Sequence, residues 1–192
     1  MVAKHRKPNR LKNFDYSTSG YYYVTICTKG RQEYFGNIIN NKIYLNKYGK
    51  IARNCWMEMP KHFPNVLLDE FVIMTNHVHG IVIIRNSNKS VIKSSVVIKS
   101  SVVIKSSVGN RHACSLQNEI NRRQNQLIPN VINLWKSTSS KFIHQSGLNS
   151  FQWQKSFYDH IIRNDFSLSM IRQYIRNNPL NWKEDRNNQS SS

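Results

Sequence analysis

Apolar side chains in the first part of the chain follow the patterns of β-strands. Aromatic and β-branched residues run from 20 to 28, a composition typical of a strand, and Lys29-Gly30 ends the run. Two shorter apolar runs, at 35–39 and 43–45, are separated by Asn40-Asn41, a dipeptide that favours a tight turn. These patterns predict a strand followed by a β-hairpin.

Two longer apolar runs follow, at 66–74 and 77–84. Thr75-Asn76 between them fits either a turn or the middle of one long strand. We therefore expect one or two further strands in this region.

The segment between the hairpin and these runs has helical periodicity. Asn46 is a residue type that caps helix N-termini, and Pro60 is where we expect the helix to stop. The apolar positions recur at the spacing of one buried helix face. They are Tyr48, Ile51, Ala52, Cys55, Trp56 and Met59.

Two more helices are predicted in the second half of the chain. The first presents an apolar face and can end at Gly147; that face consists of Val131, Leu134, Trp135, Thr138 and Phe142. The second opens with Asp165 as its N-cap and ends near Asn178, because Pro179 disfavours helical geometry in the residue before it. The order of strands and helices predicts an α+β domain with an antiparallel sheet.

Composition divides the chain into a domain with flanking and inserted segments. We expect a basic N-terminal arm at 1–14, a single domain at 15–182 and a polar, disordered tail at 183–192. The domain contains a low-complexity insertion at 88–110, in which Ser-Val-Val-Ile-Lys-Ser occurs twice in tandem. We interpret this insertion as an excursion from the domain.

Net charge narrows the class of partner. The 192 residues include 28 Lys and Arg but only 10 Asp and Glu, which gives a formal charge of +18. Such an excess is best explained by a polyanion, with an anionic membrane surface as the second interpretation. No run of the chain is long and apolar enough to span a membrane, so no membrane partner is expected.

The few acidic residues exclude some kinds of chemistry. Between Glu70 and Asp159 the only carboxylate is Glu119, which disfavours nucleases with a carboxylate-held metal pair and paired-carboxylate glycosidases. The three cysteines form no paired spacing, and the basic N-terminus lacks the apolar core of a signal peptide. We therefore expect a protein of the reducing cytoplasm, associated with the nucleoid.

Two features of the sequence carry candidate chemistry. His77 and His79 are two residues apart in a strand-like run, so both imidazoles face the same way and suit a divalent metal ion. Tyr174 and Asn178 are four residues apart on one helix face, and a tyrosine is a possible nucleophile toward a phosphodiester. The alternative is that the histidines are hydrogen-bonded core residues and that the tyrosine is a half-buried helix residue.

Four segments together resemble a known family. They are Tyr16-Ser17 with 20–28, 68–84 (LDEFVIMTNHVHGIVII), 153–163 (WQKSFYDHIIR) and 171–182 (IRQYIRNNPLNW). The sequence resembles the single-tyrosine HUH transposases, and within them the REP-associated tyrosine transposases related to the IS200/IS605 type. Asn178 followed by Pro179 is more similar to the REP-associated branch.

The resemblance implies a fold, a site and a reaction. The fold is a ferredoxin-like or RRM-like antiparallel sheet with helices packed on it, in a protein that commonly dimerises. His77, His79 and Asn178 match the family's metal ligands for Mg²⁺ or Mn²⁺, and Tyr174 matches its nucleophile. The implied enzyme cleaves and rejoins hairpin-bearing single-stranded DNA through a 5′-phosphotyrosine and needs no nucleotide cofactor.

We expect basic residues to contact the DNA backbone, because their charge neutralises phosphates. They are Arg122, Arg123, Lys136, Lys141 and Lys155. The competing interpretation of the whole chain is a non-catalytic single-stranded DNA- or RNA-binding module, in which aromatic side chains stack on bases and the histidines are structural. A histidine-based phosphohydrolase is a third interpretation, disfavoured because Ile81 stands where a further alternating histidine would be needed.

Overall fold

The computed structural model describes residues 14–85 and 126–188. The predictions for residues 1–13, for the insertion at 88–110, for Arg122 and Arg123, and for 189–192 lie outside these ranges.

The described residues form a strand, a hairpin, a helix, two strands, a helix, a strand and a helix. In chain order these are β1 (Gly20–Cys27), β2 (Gly36–Ile39), β3 (Lys42–Leu45), α1 (Lys47–His62), β4 (Val66–Ile73), β5 (His77–Ile84), α2 (Leu127–Gln145), β6 (Tyr158–Ile162) and α3 (Asp165–Asn177). The main sheet is antiparallel in the order β4-β5-β1-β6, and β2 and β3 pair separately. The prediction of a single α+β domain with a ferredoxin-like antiparallel sheet is confirmed.

One face of the sheet is covered by α1 and α2. Alternate residues of the central strands point into this layer, among them Val24 and Val78. They pack with Trp56 of α1 and Trp135 of α2, which are both almost fully buried. The Trp135 indole N–H also donates to the Ala52 carbonyl over 3.1 Å, which ties the two helices together.

The opposite face of the sheet is covered by α3. Leu168 and Ile175 pack there against Tyr23, Ile81 and Ile162 in a second, smaller apolar cluster. The residues of β1 and β5 that alternate with the main core therefore face α3. Both predicted histidines are on this second face.

The sequence signals for turns and caps have clear counterparts. Asn40 and Asn41 have φ of 50° and 60°, the left-handed conformations of a tight hairpin turn. The Asn46 side chain accepts from the backbone N–H groups of Tyr48 and Gly49 and caps α1. Between β4 and β5 the chain turns, so the two apolar runs are separate strands.

Two helix ends differ from their predictions. Pro60 does not stop α1, which continues to His62. A proline removes only its own hydrogen bond, and Phe63 N–H still donates to the Met59 carbonyl. The N-cap of α3 is Asn164 and not Asp165, because the Asn164 side chain accepts from Ser167 N–H over 2.8 Å.

The buried face of α2 is rotated from the predicted one. Phe142 was predicted to be buried but is 46% exposed, whereas Ser139 and Ile143 are fully buried. The helix has two overlapping faces that could be buried, one with Phe142 and one with Ser139 and Ile143. A tertiary hydrogen bond favours burial of the second face. The Trp153 indole N–H donates to Ser139 Oγ over 3.0 Å, which holds this polar residue inside the core.

The prediction of a disordered tail from residue 183 is wrong for 183–188. This segment begins in a 3-10 turn at Trp182–Glu184, and Asp185, Asn187 and Asn188 are buried. Its polarity suggested solvation, but its side chains find buried polar partners on the α3 face of the sheet. In the described part of the chain, no helix is long and apolar enough to cross a membrane.

Gly80 offers a test of how tightly the sheet packs on α1. A Cβ built at this position would lie 2.4 Å from the Trp56 ring. We expect Gly80→Ala to lower the free energy of unfolding by about 1–3 kcal/mol, the usual cost of overpacking, in urea denaturation. In a Trp56→Phe background the ring atoms in question are absent and the cost of Gly80→Ala should shrink. An equal cost in both backgrounds would contradict this packing account.

Candidate active site

Two central strands bring a row of functional side chains to the face under α3. The pairing of β1 with β5 sets Cys27 opposite His77 and Thr25 opposite His79. His77 and His79 are both fully buried, and their ring centroids are 4.4 Å apart. The prediction that the two imidazoles share one face of a strand agrees with this geometry.

Two hydroxyl groups of β1 hold the inner side of the His79 ring. Nδ1 of His79 lies 2.7 Å from the Tyr23 hydroxyl and 2.9 Å from Thr25 Oγ1. A hydroxyl oxygen can accept a hydrogen bond as well as donate one, so either hydroxyl can accept a hydrogen bond from Nδ1 when that nitrogen carries the proton. In that tautomer Nε2 presents a lone pair toward α3.

The tautomer of His77 is set by the residue before it. The Asn76 amide NH₂ donates to the carbonyl oxygens of Arg31 and Asn187, which directs its own oxygen toward His77. Oδ1 of Asn76 is an acceptor and lies 2.8 Å from His77 Nδ1, so this nitrogen carries the proton. Nε2 of His77 therefore has a free lone pair, the state of a metal-binding histidine.

Helix α3 brings the predicted tyrosine to the histidine pair. The Tyr174 hydroxyl is 3.4 Å from His79 Nε2, and the tyrosine is 41% exposed. One turn later, at the helix end, Asn178 is buried beside the same site. All four residues predicted for catalysis and metal binding are thus brought together.

Asp185, which sequence reasoning missed, joins this group. His77, His79 and Asp185 each offer one ligand atom, and these atoms all lie within 4.8 Å of one another. The carboxylate accepts from the Asn178 amide over 3.0 Å and from Asn187 N–H over 2.6 Å. One signal was available, because acids are scarce in this chain and Asp185 follows the helix of Tyr174 closely.

The donor set fits a divalent cation. Nε2 of His77 and Oδ1 of Asn178 are buried and have no hydrogen-bond partner among the described residues. Both atoms offer lone pairs, and buried lone pairs without a donor are costly unless a cation takes them. Two imidazole nitrogens with amide and carboxylate oxygens suit Mn²⁺ or Mg²⁺ better than a soft metal.

Burial keeps both imidazoles uncharged. Desolvation lowers the pKa of His77 to about 4, against the opposing effects of the Asp185 carboxylate and the Asn178 amide. Desolvation also lowers the pKa of His79 well below its usual value, and the neighbouring His77 adds to this effect. Neutral imidazoles are competent ligands without first losing a proton.

Burial acts on the tyrosine in the opposite sense. The pKa of Tyr174 is raised mainly by desolvation and further by Asp185, while Arg186 opposes the shift. The hydroxyl therefore keeps its proton at neutral pH in the free protein. Beside it opens a polar cleft of about 360 Å³ lined by Tyr174, Asn178, Asn181, Glu184, Asp185 and Arg186.

Two of the three predicted DNA-binding lysines lie on the far side of the sheet from this cluster. Lys136 and Lys141 are on α2, which covers the other face of the sheet. Lys136 is half-buried and donates to the carbonyl oxygens of Gln154 and Lys155, and burial lowers its pKa. Lys141 and Lys155 are exposed.

Arginines that the sequence did not single out lie closer to the histidines. The Arg31 guanidinium donates to the Arg186 carbonyl over 2.7 Å, which joins the turn after β1 to the C-terminal segment. The Arg186 guanidinium stands 5.8 Å from the centre of the exposed Tyr158 ring. Both arginines are close enough to affect the pKa of His77.

Comparison with known proteins supplies a fold and a family. A REP-associated tyrosine transposase, solved bound to a REP hairpin, superposes with a TM-score of 0.52 at 14% identity, covering 94% of this chain and 74% of that chain. An uncharacterized protein of Haemophilus influenzae (strain Rd) is 33% identical over 187 residues, which cover 94% of this chain and 92% of that protein. No family model matches the chain.

The chain accordingly shares its fold with a REP-associated tyrosine transposase. At the level of sequence, the chain belongs to the same family as the Haemophilus influenzae protein.

The buried histidines predict how stability depends on pH. Their pKa values are lower in the folded protein than in the unfolded chain, so on acidification the unfolded chain binds protons first. The free energy of unfolding should fall as pH drops below about 6.5, by up to about 1.4 kcal/mol per pH unit for each histidine. For His77 this loss levels off near its folded pKa of about 4.

Urea denaturation in metal-free buffer between pH 7.5 and pH 5 measures this loss. The slope should become shallower in the His77→Gln/His79→Gln variant and stay unchanged in His160→Gln, whose side chain is exposed on the neighbouring strand β6. A double variant with the full wild-type slope would rule out the buried neutral pair as its cause.

Proposed function

We propose that this protein is a metal-dependent tyrosine transposase, an endonuclease and strand transferase that cleaves and rejoins single-stranded DNA at hairpin-associated sites. The observation that carries the proposal is the 3.4 Å approach of the Tyr174 hydroxyl to Nε2 of His79, within a buried group of potential metal ligands. The transposase fold supports it independently.

The metal would be held by the two imidazoles and the oxygen ligands beside them. His77 and His79 supply nitrogen, Asp185 supplies a carboxylate oxygen, and Asn178 supplies the amide oxygen that has no donor. Mg²⁺ or Mn²⁺ held there would supply Lewis-acid polarisation of the scissile phosphate and would offset the negative charge that develops on it. This ligand set extends the one expected from the sequence by one residue, Asp185.

Tyr174 is the proposed nucleophile. Its oxygen forms a bond to phosphorus while the bond from phosphorus to the 3′ oxygen breaks, which leaves a 5′-phosphotyrosine and a 3′-hydroxyl. The phenolic proton passes to water, which reaches the 41%-exposed side chain, and the departing 3′ oxygen takes up a proton. Rejoining is the reverse displacement, so no nucleotide cofactor is required.

The chain's own charges suit the substrate. Arg31 and Arg186 flank the histidines, and the Arg186 guanidinium near the exposed Tyr158 ring forms a surface on which a phosphate and an unpaired base can both bind. We propose that the single-stranded DNA next to the cleavage site binds to this surface. The proposed contacts to the DNA backbone remain Arg122, Arg123, Lys136, Lys141 and Lys155, and the proposed assembly is a homodimer in the cytoplasm.

A second candidate function is a binding module without catalysis. The exposed Tyr158 ring and the net charge of +18 would serve such a module equally well. The close approach of Tyr174 to buried, uncharged histidines favours the enzyme, because base stacking requires neither a metal site nor a nucleophile.

Removal of the Tyr174 hydroxyl distinguishes these functions. Tyr174→Phe should abolish the covalent protein–DNA adduct while it changes the affinity for DNA less than about threefold, since one hydroxyl contributes little to binding. The adduct is measured by denaturing gel electrophoresis with Mn²⁺ and single-stranded oligonucleotides that carry a hairpin with randomised flanks. Tyr44→Phe, an exposed tyrosine of the separate hairpin, is the matched control and should keep full activity. If wild-type protein gives no adduct with either Mn²⁺ or Mg²⁺, the binding module is the better description.

The proposed ligand set predicts the metal affinity of variants in the absence of DNA. Asp185→Asn should weaken Mn²⁺ binding by about tenfold or more in calorimetric titration, because a charged ligand is lost. Glu33→Gln removes an exposed carboxylate from the loop before β2 and should leave the affinity unchanged. Unchanged binding in Asp185→Asn together with loss in Asn178→Ala would restore the set predicted from the sequence alone. A wild-type protein that binds no Mn²⁺ would remove the metal from the proposal.

A further inference from the structure

Strand β4 contains an irregularity directly opposite the middle of β5. Leu68 pairs with Val82 and Phe71 pairs with Gly80, so Asp69 and Glu70 together occupy the place opposite Ile81. Two residues against one is the pattern of a β-bulge. Neighbouring residues of a regular strand point to opposite faces, whereas the bulge lets both carboxylates reach α3.

Each carboxylate binds one arginine of the helix that carries Tyr174. Arg172 makes a two-pronged contact with Asp69, through Nε at 3.1 Å and through Nη2 at 2.5 Å. Arg176 binds Glu70 through Nε at 2.9 Å and also through Nη2. The Asp69 side chain is only 13% exposed, so its pair with Arg172 is shielded in part from water. The pair of Glu70 with Arg176 is open to water, since the Arg176 side chain is 62% exposed.

The two arginines lie on one flank of α3 and Tyr174 lies on the other. Positions 172 and 176 are one turn apart on the same side of the helix, and position 174 between them points about 160° away. Below the helix the contacts are apolar, made by Leu168 and Ile175. Apolar contact is not directional, so it resists separation of the helix from the sheet better than rotation about the helix axis.

A small rotation would matter for the tyrosine. An atom that lies about 6 Å from the axis of α3 moves by about 2 Å when the helix turns by about 20°. A shift of that size is enough to break the contact between the Tyr174 hydroxyl and His79. Two planar guanidinium–carboxylate contacts, one turn apart on one flank, oppose that rotation because each fixes both a direction and a distance.

We propose that Asp69 and Glu70 are positioning residues that clamp α3 at the rotation which places the Tyr174 hydroxyl at the histidine pair. This inference rests on the proposed function, since it assigns the clamp a role in the reaction of Tyr174. It also explains why two of the scarce acidic residues lie side by side in a strand.

The test uses the full-length protein with both carboxylates neutralised, Asp69→Asn/Glu70→Gln. At saturating hairpin DNA, the single-turnover rate of adduct formation should fall by about tenfold to a hundredfold, as expected for a nucleophile displaced by an ångström or two. The affinity for DNA should stay equal or rise, because two negative charges are removed and two arginines are freed. The control Glu58→Gln breaks an exposed pair with Lys61 on α1 and should leave the rate unchanged.

A charge-exchange variant distinguishes a positioning role of the ion pair from a general effect of lost charge. The exchanged pair Asp69→Arg/Arg172→Asp should recover a large part of the rate lost in Asp69→Arg alone, whereas Arg172→Lys should not match wild type because lysine cannot form the two-pronged contact. A rate within twofold of wild type in the neutralised variant overturns the proposal. So does a rate loss that the exchanged pair leaves unrepaired.

Hydrogen exchange keeps the clamp distinguishable from the enzyme proposal. In the neutralised variant the backbone amides of α3 should exchange about tenfold faster or more, while those of α1 stay as in wild type. Unchanged exchange in α3 overturns the clamp even where the wild-type protein cleaves DNA. A wild-type protein that forms no adduct, with faster exchange in the variant, overturns the proposed function and the positioning role, and leaves the clamp as an element of the fold.

Discussion

Two imidazoles buried side by side must remain uncharged, and the surrounding structure satisfies this constraint. The pKa of each is lowered chiefly by desolvation. Asn76, held by two backbone carbonyls, keeps the proton of His77 on Nδ1, and hydroxyls of β1 hold the corresponding nitrogen of His79. The remaining nitrogens point at α3 and at the C-terminal segment. A half-satisfied polar group of this kind is costly in a protein interior, and the divalent cation that we propose would complete it.

Three of the few acidic residues lie in or next to the candidate site. In a chain of charge +18, Asp185 is buried beside the histidines, and Asp69 and Glu70 hold the helix that brings Tyr174 to them. A phosphate-binding surface gains nothing from exposed carboxylates. Here these three carboxylates each contact residues of one site, and Arg31 and Arg186 beside it are the arginines that we propose to bind DNA.

Much of the fold followed from local physics, and the parts that did not depend on distant contacts. The capping role of Asn46 and the Asn40-Asn41 turn depend on neighbouring backbone, so both could be predicted from the sequence. The rotation of the buried face of α2 could not be predicted, because the burial of Ser139 depends on a hydrogen bond from the distant Trp153. The site divides in the same way. The H-x-H spacing and the helical spacing of Tyr174 and Asn178 are local patterns, whereas Asp185 joins only because the chain folds back after α3. The β4 bulge is a property of pairing and leaves no periodic signal.

We propose that the Tyr174 hydroxyl oxygen, positioned by this sheet face, is the atom that joins the protein to DNA. Peptide mass spectrometry of the wild-type protein, after incubation with Mn²⁺ and hairpin-bearing single-stranded DNA and digestion of both polymers, measures this directly. We expect a nucleotide phosphate attached to Tyr174, in the peptide from α3. A nucleotide on another tyrosine such as Tyr23 or Tyr158, or a Tyr174 peptide that is never modified, would contradict it.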